Sequence, residues 1–189
     1  MIEKRTDLAL ERRESFPEDD VEIKGVSLEK EQVLIDEKSN FKLNISTVKI
    51  LNDAGAEKMG KPKGSYITLE TGDICRLSDE CLGKVEDEIA GSIKELAGIL
   101  SEQRVMIAGL GNRHVTADSL GPLVVDSLNI TGHLASEYGP EFLRKIGMGE
   151  VYGVAPGVMA QTGMEAATVL ESLVDAINPD VLIVIDALA

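Results

Sequence analysis

The chain has 189 residues, of which 43% are hydrophobic, 28% are charged and only 3% are aromatic, with no Trp. That length suits one domain, or one domain with an appended subdomain, and the composition is that of a globular chain whose core must be aliphatic. A formal net charge of −14 repels nucleic acid phosphate and anionic membrane, which argues against direct DNA binding, and no apolar run approaches the roughly 20 residues that a bilayer-spanning helix needs.

The first 20 residues are dense in charge and read as an exposed arm. They lack the apolar core of a signal peptide, so the chain is expected to be soluble and intracellular. From Val21 the pattern turns to period two. VEIKGV alternates, QVLI follows, and FKLNISTVKI places Phe41, Leu43 and Ile45 on one face. These are half-buried strands, and the β-rich portion that they open continues through the turn GKPKG into the strand SYITLE. Cys75 and Cys81 have five residues between them, which fits neither a CxxC redox pair nor a zinc knuckle, so two reduced thiols are expected. Residues 84–100 change to helical spacing, with Val85, Ile89, Ile93, Leu96 and Leu100 on one stripe.

The remainder alternates strand and helix. RVMIA (104–108) is a continuous apolar strand of the buried, parallel kind. The glycine turn GLGNRHVTADSLGP leads from it into a helix after Asp118 that carries Leu120, Leu123, Val124 and Leu128. PEFLRKIG reads as a short helix, and VYGVA is a strand that ends in the loop PGVMAQTG. Residues 164–177 are helical, with Leu170, Leu173, Val174 and Ile177 as the buried stripe. Pro179 closes that helix because it has no amide and restricts the residue before it. VLIVI (181–185) is a buried strand with Asp186 at its carboxyl end. The pattern predicts an α/β fold with a mostly parallel central sheet. A central parallel strand with no crossover helix after it is expected to belong to a longer chain.

In an open α/β sheet, ligands bind outside the carboxyl ends of the strands. Three loops qualify, and two of them carry an aspartate, Asp118 and Asp186. A dinucleotide fingerprint would need GxGxxG opening a helix. Gly109 and Gly111 are present, but position 114 is His and the next glycine is Gly121. No GK[ST] occurs, so a Walker loop is absent as well. The carboxylate reading has its own bland counterpart, since Asp118 stands where a helix N-cap would stand. Two aspartates held together in a partly apolar cleft instead share one proton, so that one activates water while the other donates to a carbonyl. That chemistry needs no metal or other cofactor. His114 and His133 are the only histidines, and either could join the aspartates as a metal ligand. No GxSxG elbow marks a serine nucleophile.

Five segments in order, RTDLALE, GSYITLE, VMIAGLGNRHVTADSLGP, APGVMAQTGMEAA and LIVIDALA, together resemble the germination protease family of spore-forming bacteria. The turn-and-aspartate layout is similar, more distantly, to hydrogenase-maturation endopeptidases, which share a three-layer α/β/α architecture. The resemblance implies an endopeptidase that degrades small acid-soluble spore proteins at germination, in the cytoplasm of the spore. Its two catalytic aspartates match Asp118 and Asp186. It further implies a homotetrameric zymogen that removes its own N-terminal segment, and the matching site is Asp7–Leu8. Residues 1–7 would then be the propeptide within the arm 1–20, and residues 21–189 the α/β peptidase domain, expected to be incomplete at its C-terminus. No cofactor and no direct nucleic acid or membrane partner is expected. Two other readings stay open: a metal-dependent maturation-type endopeptidase using the same carboxylates, and a nucleotide-binding module using the GLGN turn.

Overall fold

A computed structural model describes residue 9 and residues 24–98 and 103–187. Asp7 and Leu8, the expected processing site, lie outside the described residues, as does Leu100 of the expected helical stripe. The chain forms two compact units, one ending at Leu96 and one beginning at Ala97.

The first unit is built on an antiparallel sheet of β1 (Val26–Asp36), β2 (Phe41–Ile50) and β3 (Gly64–Glu70), with β2 in the middle. Residues 21–23 of VEIKGV lie outside the described residues, and QVLI is part of a longer strand. Val26 to Asp36 is one long strand that pairs with β2 from Val26 opposite Ile50 to Leu34 opposite Lys42. The register then slips, so that Asp36 faces Phe41. The Asp36 carboxylate closes the hairpin by accepting from the amides of Lys38 and Ser39 and from the Ser39 hydroxyl. Those bonds, the Ser39 hydroxyl first, hold its carboxyl below the usual carboxylate range.

The sheet buries opposite faces at its two ends. Near the hairpin, Leu43 packs with Ile35 and with Val85 of α2 (Asp79–Ala97), and Phe41, Ile45 and Leu69 join them. That is the face expected from FKLNIS. Further along β2 the opposite face is buried, where Val48 and Ile50 pack with Ala9 and with Met59 of α1 (Asp53–Met59). Asn52 caps α1 by accepting from the Gly55 amide, and Gly60, in the left-handed region at φ 62, ends it. The expected stripe of α2 is only partly buried. Val85 is enclosed, whereas Ile89, Ile93 and Leu96 remain 43%, 42% and 49% exposed.

The second unit is a parallel sheet in the order β5–β4–β6, made of β4 (Arg104–Gly109), β5 (Glu150–Val154) and β6 (Val181–Ile185). Between β4 and β5 run α3 (Leu120–Asp126), α4 (Gly132–Tyr138) and α5 (Pro140–Lys145). Between β5 and β6 run α6 (Met159–Thr162) and α7 (Ala166–Ile177). One face of the sheet, through Met106 and Ala108, packs against Leu170, Leu173, Val174 and Ile177 of α7. On the other face, Gly153 lies against Val125 of α3 and Ile130. Helices on both faces give this unit the expected α/β/α layering. The stripe of α7 is the expected one, and Asn178, left-handed at φ 49, ends the helix just before Pro179.

Arg104 fastens the amino-terminal end of this sheet. Its side chain pairs with Glu150 at 2.7 Å and donates to the carbonyls of Ile177, the last residue of α7, and of Asn178, which caps it. The Tyr152 hydroxyl donates to the same Glu150 carboxylate at 2.8 Å. Burial, and then the bond to that anion, push the Tyr152 hydroxyl above its ordinary value.

Candidate active site

At the carboxyl end of the sheet, three backbone segments meet without side chains between them. The Leu110 amide donates to the Ile185 carbonyl at 2.8 Å, which extends the β4–β6 pairing by one step. A Cβ on Gly109 would stand 2.1 Å from the Gly121 carbonyl oxygen. A Cβ on Gly121 would stand 2.5 Å from both the Ile185 and the Leu110 carbonyl oxygens. The first turn of α3 is therefore pressed directly onto the ends of β4 and β6. Asp118 lies three residues before Gly121, and Asp186 immediately follows Ile185. The same contact thus carries both aspartates to one rim.

Asp118 does not cap the helix that follows it. It closes a 3-10 turn (Thr116–Asp118), α3 begins only at Leu120, and its N-cap is Ser119, whose hydroxyl turns back to the Thr116 carbonyl. The half-buried Asp118 carboxylate instead accepts from the Asn112 amide at 2.7 Å. Gly111 makes that possible. It sits at φ 112, and a Cβ there would lie 2.1 Å from the Asp118 carbonyl oxygen and 2.8 Å from its Oδ1. Asp186 is exposed, and its Oδ1 accepts from the Ala187 amide at 2.9 Å.

This arrangement weakens the nucleotide reading. A phosphate-binding turn leaves its amides free to point at an anion. Here the Asn112 amide is already taken by a carboxylate, which adds negative charge where a phosphate would sit. The metal reading gains no ligand set either. Among the described residues, no group of three His, Cys, Asp or Glu side chains is placed to hold an ion. His114 lines the cleft beside the turn, whereas His133 lies on α4, outside the residues that line it. Cys75 and Cys81 are free thiols in the other unit.

The cleft holds about 430 Å³ and opens between the turn after β4 and the loop after β5. Gly111, Arg113 and His114 form one wall, and Pro156, Gly157 and Gln161 the other. Arg113 is held on its side by Asp126 of α3, at 3.2 Å. Asn112 and Gln161 have no part in the sequence reading of the site. The only trace of Asn112 there is its place two residues before His114, the spacing of an Asx turn. Its Oδ1 does accept from the His114 amide, at 3.0 Å.

The profile described as germination protease matches residues 9–189 of this chain. A germination protease of Caldanaerobacter subterraneus subsp. tengcongensis is 41% identical over 186 residues, covering 98% of this chain and 54% of its own length. One from Clostridium perfringens is 38% identical over 190 residues, with 100% of this chain and 56% of its own length covered. One from Bacillus cereus is 38% identical over 188 residues, covering 98% of this chain and 49% of its own. The chain spans about half the length of these relatives.

Proposed function

The chain belongs to the germination protease family, and from that premise we propose that it carries the carboxylate pair of an endopeptidase of unusual aspartic type. The observation that supports the reading is the glycine-to-backbone contact of Gly109 and Gly121 with the ends of β4 and β6, since Asp118 lies three residues before Gly121 and Asp186 directly follows Ile185. In this mechanism one carboxylate, ionised, takes a proton from a water whose oxygen attacks the scissile carbonyl carbon. The other, protonated, gives its proton to the carbonyl oxygen. Breakdown of the tetrahedral product breaks the C–N bond as a proton passes to the departing nitrogen.

The substrates are small acid-soluble spore proteins, and the setting is the cytoplasm of the spore. The enzyme is made as a homotetrameric zymogen and cleaves itself between Asp7 and Leu8. The acidic residue, the apolar residue after it and the alanine that follows in RTDLALE are what favour that position. In the full-length protein, Asp118→Asn and Asp186→Asn are each expected to reduce substrate cleavage and self-processing about 100- to 10,000-fold, the range of general acid–base contributions, while circular dichroism stays that of the parent. Retained proteolysis in both variants would refute the pair.

A further inference from the structure

Asn112 makes four hydrogen bonds that join two segments of the second unit. Its amide donates to Asp118 Oδ2 at 2.7 Å. Its carbonyl accepts from the Val115 amide at 3.0 Å. Its side-chain Oδ1 accepts from the His114 amide at 3.0 Å and from Gln161 Nε2 at 3.2 Å. The first three bonds fold the turn after β4 around the Asp118 carboxylate. The fourth reaches over 49 residues of sequence to α6, from one wall of the cleft to the other. Gln161 is itself seated for this. Its Oε1 lies 3.1 Å from where a Cβ on Gly157 would stand, so it rests on bare backbone with its amide nitrogen directed at Asn112.

We propose that Asn112 and Gln161 act as one positioning pair for Asp118, with Gln161 fixing Asn112 from the opposite wall and Asn112 fixing the carboxylate. The inference rests on the reading of Asp118 as a reacting group. An exposed neutral hydrogen bond adds little to stability, so the Gln161 side chain has little to do for the fold itself. Orientation is a different matter, because small misplacements of a reacting group cost large factors in rate. The Asn112 amide comes from the backbone and survives substitution. What the Asn112 side chain supplies is the acceptor that both the His114 amide and Gln161 use to keep that amide in line.

The test is steady-state cleavage of a peptide containing RTDLALE by the full-length protein. Asn112→Ala is expected to lower kcat about 10- to 100-fold and Gln161→Ala about 5- to 10-fold, with KM within about twofold in both. The double variant is expected to be no slower than Asn112→Ala alone, because residues that act as a unit are not additive. Losses that multiply in the double variant, losses confined to KM, or an unchanged kcat in Gln161→Ala would each overturn the pair. Gln161→Ala removes only an exposed bond, so it decides the matter even where Asn112→Ala fails to fold. Asp118→Asn separates the two levels. Cleavage retained in Asp118→Asn removes the reading underneath. Cleavage lost there, with multiplicative losses at Asn112 and Gln161, removes the positioning pair alone.

Discussion

The antiparallel sheet of β1–β3 buries opposite faces at its two ends, whereas the parallel sheet of β4–β6 buries both faces of one central strand, β4. The first arrangement is held by side chains. Leu43 and Ile35 serve one end, and Val48, Ile50 and Met59 the other. The second has a side-chain core as well, around Met106, Ala108 and Leu170. Its carboxyl rim is held differently, by Gly109, Gly111 and Gly121 lying against carbonyl oxygens. Substitution in the first unit should therefore be felt as stability. Substitution at the rim of the second should be felt first as geometry of the candidate site.

The largest expected effect on stability is that of Leu43→Ala, which empties a fully buried site and should cost about 2–5 kcal/mol. Amide exchange should accelerate across β1–β3 more than across β4–β6, and equal acceleration in both sheets would break the distinction between the units. Gly121→Ala comes next, at about 1–3 kcal/mol for forcing a methyl against two carbonyl oxygens. Its mark should be a loss of cleavage about 100-fold, well beyond what the fraction unfolded accounts for. Full activity in that variant would show that the rim does not depend on this contact.

The smallest effects are those of pH, and they divide between the units. In the first, Asp36 has a lowered pKa, so its contribution is present above about pH 4 and is lost as pH falls through its folded value. In the second, Tyr152 has a raised pKa, so its contribution is present below about pH 10 and is lost as pH rises through its folded value. Melting temperatures measured across acid and alkali should lose the alkaline slope in Tyr152→Phe and keep the acid one. A Tyr152→Phe curve that coincides with the parent above pH 10 would contradict the assignment.

RVMIA is legible because a parallel strand covered on both faces must be apolar throughout. VLIVI, equally apolar and expected to be buried, instead leaves Leu182 and Val184 on one face 41% and 47% exposed, because it pairs only with β4 among the described strands. The end of α7 is legible through Asn178 and Pro179 for an equally local reason. Other features depend on partners that a local pattern cannot name. FKLNISTVKI shifts its apolar phase from Phe41, Leu43 and Ile45 to Val48 and Ile50, and the buried face changes with it because a different helix waits at each end of the strand, which the pattern alone does not identify. The expected α2 stripe runs through Ile89, Ile93 and Leu96, but in the described residues only Val85 is enclosed. The helix expected after Asp118, with Leu128 on it, begins at Leu120 and stops at Asp126, short of Leu128, and a separate α4 follows. At the site, Asp186 stands out because it ends an apolar run, and Asp118 because it closes the turn between the apolar strand RVMIA and the following helix. Asn112 and Gln161 do not, since their bond joins residues 49 positions apart and no local spacing announces it.

The glycine contacts at the rim carry a consequence for genetics. Asp118 and Asp186 offer two targets at which a single change removes a carboxylate. Gly109, Gly111 and Gly121 offer three more at which any change at all inserts an atom within 3 Å of a neighbouring backbone oxygen. A collection of random point variants selected for lost cleavage should thus be populated by glycine substitutions at least as densely as by aspartate ones. The positions least tolerant of change would include three that contribute no functional group.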